Sequence, residues 1–439
     1  MVVLWLLSMF LVLMVVLQRE LVVSALMLMS FYLALYLCVV PDKVWMLHGV
    51  MVWDFLSLSM SLLGVFVVAM GVLSTKVSVR NKLFLLVNMF LCMVVVMAFS
   101  VSSFFLFFFF LSATLIPLIL MIVGWGLQPE RLQAGVYMLI YTVVGSLFFL
   151  LGVCFMYFNS MSDCMISLSS SCVKNMWSFW WVFLFGFLVK MPSYPFHLWL
   201  LKAHVEAPVA GSMVLAGVIL KFGGYGMIRL FSVINVCYYD SLFCLIVVVS
   251  LLGGFYSSVV CVRQTDLKRL VAYSSVSHMS MVILGCFSNS FLGLEGVIWL
   301  MLGHGLCSSG LFMLVSVVYS SSESRVLLLN KGGLVKAPCL AMVSFLLCVS
   351  NMAAPPSLNL LAEICLYICI SSMYYYMVLF FAMVSFFSAA YSLYLYTSCF
   401  HGSLSGGLFS VLGVSHSDTI VLMCHWIPLN MLVIVGMLY

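Results

Sequence analysis

Fourteen long apolar runs, joined by short segments that hold most of the charge, set the terms on which this chain can fold. They lie at 1–17, 21–40, 51–73, 83–99, 103–123, 133–157, 177–200, 208–230, 241–262, 270–290, 292–318, 338–370, 374–398 and 419–438. A bilayer's hydrocarbon core is about 30 Å thick, so a spanning helix needs about 20 mostly apolar residues. The pattern predicts an all-α polytopic membrane protein with about fourteen transmembrane helices. A β-barrel would show ten-residue alternating segments instead. Only 7% of the 439 residues are charged, against about 25% in a soluble domain. A net charge of +5 is too thin for a nucleic-acid footprint.

The basic residues orient the chain. Segments after odd-numbered runs carry Arg19, Lys76, Arg80, Lys82, Arg131, Lys202, Arg263, Lys268, Arg269, Arg325, Lys331 and Lys336. Segments after even-numbered runs carry Lys43 and Lys174, and Arg229 closes the eighth run on that side. The positive-inside rule places the first set in the cytoplasm or matrix and both termini opposite. The first run has no basic n-region or small-residue cleavage site and reads as a retained span.

Two runs are interrupted by proline, the seventh at Pro192 and Pro195 and the twelfth at Pro355 and Pro356. Proline removes a backbone donor and breaks a helix. Broken helices at membrane depth occur where protein or a water-filled cavity satisfies the freed groups. Interruptions five spans apart suggest two inverted five-helix repeats. The expected divisions are helices 1–3 at 1–82, a first repeat at 83–230, a second at 241–398, and a loop with helix 14 at 399–439.

An ionisable side chain inside a span is costly and marks a functional candidate. Lys190 precedes the first break, Lys221 lies inside the eighth span, His278 and His304 inside the tenth and eleventh, and Glu363 follows the double proline. Two bases, two imidazoles and an acid can pass protons where water links them. His278 and His304 also have a plainer role as interhelical hydrogen-bonders. A lysine near an interface can snorkel, but apolar chain on both sides of Lys221 argues against that there. Asp54, Glu206 and Glu295, near span ends, read as solvated or interfacial. Phe104 to Phe110 reads as lipid-facing or core packing, and Gly223-Gly224 as close helix packing. The sixteen cysteines show no C-x-x-C spacing, and Cys365 and Cys369 read as reduced packing residues. Nothing resembles a metal cradle, phosphate loop, nucleophile elbow or dinucleotide fingerprint.

Several longer stretches are more specific. They are GWGLQPERLQAG (124–135), Val189-Lys190-Met191-Pro192, HLWLLKAHVEAPVAGSMVLAGVILKFGGYGM (197–227), RQTDLKRLVAYSSVSHMS (263–280), GHGLCSSGLF (303–312) and NMAAPPSLNLLAE (351–363). Together they resemble the antiporter-like membrane subunits of mitochondrial NADH:ubiquinone oxidoreductase, respiratory complex I, over roughly residues 80–400. The run from Lys202 to Pro208 favours chain 4 of that set over chains 2 and 5; chain 5 also carries a lateral helix for which this chain has no room. The resemblance implies fourteen core helices, two inverted repeats and broken helices 7 and 12. It implies proton-path roles for Lys190, Lys221, His278, His304 and Glu363. It implies no cofactor on this chain; FMN, iron–sulfur clusters, NADH and ubiquinone belong to the complex. Chains 2 and 5, lipids and ordered water are the implied partners, and the mitochondrial inner membrane is the implied location.

One position departs from that family. Its helix 5 usually holds a glutamate in a Phe-Glu-Ala-Thr-Leu-Ile-Pro context, thought to pair with the helix 7 lysine. Here the run is Leu111-Ser112-Ala113-Thr114-Leu115-Ile116-Pro117, and no acid lies between Asp54 and Glu130. An opposite charge holds a lysine protonated, and Ser112 supplies none. The leading expectation is a proton-translocating subunit of an NADH:ubiquinone reductase, without redox chemistry of its own. The rivals are a cation/proton antiporter and a structural spacer with a weakened path at Ser112.

Overall fold

The computed structural model describes residues 19–39, 45–47, 50–75, 81–170, 180–234, 241–373, 375–403 and 415–438. In chain order its first elements are α1 (Arg19–Val39), the antiparallel pair β1 (Trp45–Leu47) and β2 (Met51–Trp53), α2 (Phe55–Ser74), α3 (Asn81–Ser100), α4 (Phe104–Ala113) and α5 (Leu115–Trp125). Then come α6 (Arg131–Ser160), α7 (Met165–Ser170), α8 (Trp180–Lys190), α9 (Leu198–Glu206) and α10 (Val209–Phe231). The remainder are α11 (Ser241–Val262), α12 (Leu267–Phe287), α13 (Phe291–Ser322), α14 (Gly333–Lys336), α15 (Pro338–Asn351), α16 (Leu358–Met373), α17 (Met377–Phe400) and α18 (His416–Leu438).

Among the described residues, ten helices are long and apolar enough to cross a membrane, beside shorter apolar ones. Every expected run from 21–40 onward corresponds to a helix or a pair of helices; the run 1–17 lies outside the described residues. The seventh and twelfth runs divide at their prolines, into α8 and α9 and into α15 and α16. The fifth also divides, at Thr114, which the apolar pattern did not indicate. Pro117, the third residue of α5, has no N–H to continue the ladder back into α4.

The chain forms two compact units, Met1–Phe187 with Glu206–Asn235, and Leu188–Val205 with Val236–Tyr439. In the first, α6 shows how an apolar helix chooses its faces. Ala134, Met138, Thr142, Gly145, Phe149, Gly152 and Met156 are buried. Leu139, Val143, Leu147 and Leu151, turned away from them, are exposed. The inward stripe is richer in small residues because lipid solvates leucine as well as protein does, and close backbone approach is what rewards association. A Cβ at Gly186 would lie 2.6 Å from the Gly145 carbonyl oxygen. The phenylalanine tract divides likewise, with Phe104 and Phe107 buried and Phe105 and Phe109 exposed. Phe99 stacks on Phe222 at 4.5 Å, and Tyr225 donates from its hydroxyl to the Phe99 carbonyl at 2.8 Å.

Polar contacts fasten the helix ends of this unit. Arg19 donates to the Val72 and Leu73 carbonyls at the end of α2. Asp54 caps the start of α2 in a reciprocal capping box with Ser57. Its Oδ1 also accepts from Arg229 at 2.6 Å, and the guanidinium lies 5.0 Å from the Tyr225 ring centre.

Burial works against the Asp54 carboxylate, but the charge and hydrogen bond of Arg229, with the bonds from Ser57, hold its pKa below the usual range. A lowered folded-state pKa adds stability above the ordinary carboxylate pKa of about 4, and that stability is lost as pH falls through the lowered value. Asp54→Asn should therefore lower the thermal stability of the first unit at pH 7 by about 2 kcal/mol. The difference from the parent should vanish in acid, as followed by unfolding scans at pH 7 and below pH 4.

Candidate functional site

The second unit contains both proline breaks, and each leaves helix carbonyls without amide partners. At the first, α8 ends at Lys190 and the chain turns through Pro192 and Pro195 before α9. The Leu188 carbonyl accepts from the Ser193 amide at 3.3 Å and hydroxyl at 2.9 Å. The Val189 carbonyl accepts from the Trp199 indole at 3.0 Å. At the second, Ala353 takes a left-handed φ of 58° and the Ala354 amide bonds the Val349 carbonyl at 3.2 Å. The Ser350 carbonyl accepts from the Asn359 amide at 2.9 Å. In both, a side chain from the downstream half-helix caps the upstream half.

The breaks also place charge. Lys190 is the last residue of α8 and only 2% exposed. A helix C-terminus carries partial negative charge, which favours a cation there. Glu363 sits in the second turn of α16 and is buried, with Oε1 unpartnered among the described residues.

Lys221, in the first unit, is fully buried. The five residues before Leu220, Leu215–Ile219, form a π-helical turn. Such turns disturb the regular backbone ladder and recur at functional sites. The Lys221 ammonium reaches back along its own helix and donates to the Ala216 carbonyl at 2.6 Å. That bond gives the ammonium a polar partner inside an apolar layer.

The histidines form the tightest constellation. His278 on α12 and His304 on α13 lie with ring centres 5.4 Å apart, both fully buried. His278 Nε2 is 3.1 Å from the Tyr391 hydroxyl on α17, which is itself 3.1 Å from Ser277 Oγ. The hydroxyl can donate to one and accept from the other, so it can follow a change of imidazole tautomer. The structure brings His278 and His304 together and places Glu363 on α16, which packs against both their helices. Lys190 belongs to this same unit and Lys221 to the first.

Ser112 makes a local bond. It is half-buried, and its hydroxyl donates to the Phe109 carbonyl at 2.8 Å. The habit is common for serine in helices and carries no charge.

Two sequence expectations need correction. Glu206 is buried, not solvated: it closes α9 directly before the buried Ala207, and a place at a helix end does not by itself mean exposure. Lys268 is not a loop residue: it lies in the first turn of α12, buried, and donates to the Val205 carbonyl at 3.1 Å. Among the buried polar groups that the sequence reading did not single out, three make aromatic or hydrogen-bonded contacts. His204 stacks flat on Phe312 at 4.4 Å, Tyr391 joins the histidine network, and His425 on α18 lies 2.8 Å from the Val421 carbonyl. His425 was detectable as an ionisable residue within an apolar run. Tyr391 carried no such signal, because a tyrosine in a span is ordinarily packing.

Residues 101–390 match the family described as NADH:quinone oxidoreductase/Mrp antiporter, TM. NADH-ubiquinone oxidoreductase chain 4 of Mytilus edulis is 52% identical over 395 residues, covering 88% of this chain and 89% of the relative. The chain 4 protein of Ceratitis capitata is 44% identical over 388 residues, covering 87% and 86%. Respiratory complex I from Thermus thermophilus with bound NADH contains a chain of the same fold, with TM-score 0.88, 22% identity and coverage of 98% and 95%. A chain of the Mrp complex from Dietzia sp. DQ12-45-1b gives a TM-score of 0.85 at 17% identity, covering 99% and 93%. Fold and buried ionisable residues together define an antiporter-like polytopic membrane protein. Within that class, the chain belongs to the NADH-ubiquinone oxidoreductase chain 4 family.

Tyr391→Phe removes the hydroxyl between Ser277 and His278 while keeping the ring. It should slow proton transport about fivefold, the effect of one buried hydrogen bond of about 1 kcal/mol, without lowering the amount of assembled protein. Proton uptake in reconstituted vesicles, beside a gel of the assembled complex, measures both.

Proposed function

We propose that this chain is a proton-translocating membrane-arm subunit of NADH-ubiquinone oxidoreductase in the mitochondrial inner membrane. Quinone reduction elsewhere in the complex drives proton transfer along Lys190, Lys221, His278, His304 and Glu363. The observation that carries the reading is the buried His278–His304 contact, in a chain 52% identical to the chain 4 protein of Mytilus edulis. Imidazole ordinarily titrates near neutrality and has two ring nitrogens, so a proton bound at one can leave from the other. The buried lysines and Glu363 extend this exchange: each gives up one proton as its neighbour on the path gains one, and water carries it across gaps.

On this reading the two five-helix repeats are 83–230 and 241–398, flanked by 1–82 and 399–439. Both termini face the intermembrane space, consistent with the distribution of Lys and Arg. Neighbouring antiporter-like chains 2 and 5 are its partners, with lipid around them. FMN, iron–sulfur clusters, NADH and ubiquinone act on other subunits. Ser112 lowers the charge available to the first repeat, so that repeat exchanges protons with less electrostatic help than the second.

Replacing Lys221 by Ala or Glu363 by Gln should reduce protons moved per NADH oxidised about tenfold or more, the scale of losing a proton-transferring group. Simultaneous recording of NADH oxidation and vesicle acidification tests this; normal pumping by both variants refutes the path. Ser112→Glu should raise the pumping rate of the assembled complex, and an unchanged rate would mean the missing acid has no consequence.

A further inference from the structure

The second break contains an amide that the path above does not use. Asn359 lies in the first turn of α16, 1% exposed. Its Nδ2 donates to the Ser350 carbonyl in the last turn of α15, so one side chain bridges both halves of the broken span. Its Oδ1 is enclosed, with no hydrogen-bond partner among the described residues. That oxygen faces Gly303 on α13, where a Cβ would collide with it. Gly303 immediately precedes His304.

One turn further along the same face of α16, Glu363 is also buried and its Oε1 is also unpartnered among the described residues. Side chains four apart on a helix have Cβ atoms about 5–6 Å apart. Polar atoms at the ends of such neighbouring side chains come within reach of one bridging water, each hydrogen bond being about 2.8 Å. Enclosed polar oxygens without a protein donor are ordinarily met by ordered water. Two such oxygens on one helix face are a place for one.

We propose that Asn359 is a positioning residue for Glu363. It ties α16 to the end of α15, and its Oδ1 shares an ordered water with Glu363 Oε1, one turn from the crossing at Gly303 and His304. When Glu363 is ionised, the water donates to both oxygens; when it is protonated, the carboxyl donates to the water and the water donates to Oδ1. No bond other than hydrogen bonds changes. Gly303 is glycine because the amide oxygen occupies the space of its missing side chain.

The inference rests on Glu363 being a proton-path residue, and the experiment separates the two. In the assembled complex, infrared difference spectra would be recorded with pumping for Glu363→Gln, Asn359→Leu and Gly303→Ala. Glu363→Gln should remove a protonated-carboxyl band and abolish pumping. Asn359→Leu and Gly303→Ala should move that band to higher frequency and slow pumping about fivefold. Gly303→Ala displaces the amide oxygen without removing Asn359, so it decides by the same readouts if Asn359→Leu does not assemble. A band unmoved in every Asn359 or Gly303 variant that assembles overturns the inference, even where assembly falls, because a plain splint would give that result. Normal pumping by Glu363→Gln refutes the role of Glu363 and the inference with it.

Discussion

The structure depends on satisfying the backbone groups that proline sets free inside an apolar layer. Water cannot reach those carbonyls from the hydrocarbon, and each left unmet costs several kcal/mol. The second unit meets the cost twice in the same manner. Trp199 reaches back to the Val189 carbonyl, and Asn359 to the Ser350 carbonyl. An indole and an amide are different chemistry for one task, which is to hold a downstream half-helix against the end of the half before it.

Helix ends within the span then become places where charge can reside. Lys190 occupies the C-terminus of α8, whose partial negative charge favours a cation. Glu363 lies beyond the first turn of α16, where the dipole has largely faded, and depends on its neighbours instead. Lys221 is served differently, by a π-turn in an unbroken helix whose Ala216 carbonyl takes its ammonium. Two kinds of backbone irregularity therefore solve one problem, the lodging of an ionisable group where a regular helix would offer it nothing.

The span pattern and the ionisable residues proposed for the site were legible in the sequence because the bilayer reads composition locally. A stretch of about 20 apolar residues spans whatever its neighbours do, and prolines inside such a stretch interrupt it. Lys190, Lys221, His278, His304 and Glu363 stood out because an ionisable residue in an apolar run is conspicuous by type. Tyr391 and Asn359 did not, since the partners of a tyrosine or asparagine in a span are set by what another helix brings to it. The burial of Glu206 and Lys268 was missed for a related reason. Both lie at helix ends, and chain position cannot say whether an end meets solvent or another element.

By itself the sequence determined the class of protein, the order of its spans, the two interruptions and which ionisable residues lie inside the spans. These follow from residue type and spacing along one chain. Tertiary structure alone decided that His278 and His304 meet, that Tyr391 joins them, and that Ser112 spends its hydroxyl on its own helix. It also decided which orphaned carbonyls Trp199 and Asn359 would serve. Apolar burial in a membrane is nearly indifferent to which helix lies beside which. Specific neighbours are therefore selected by small residues and hydrogen bonds, whose partners are far apart in sequence.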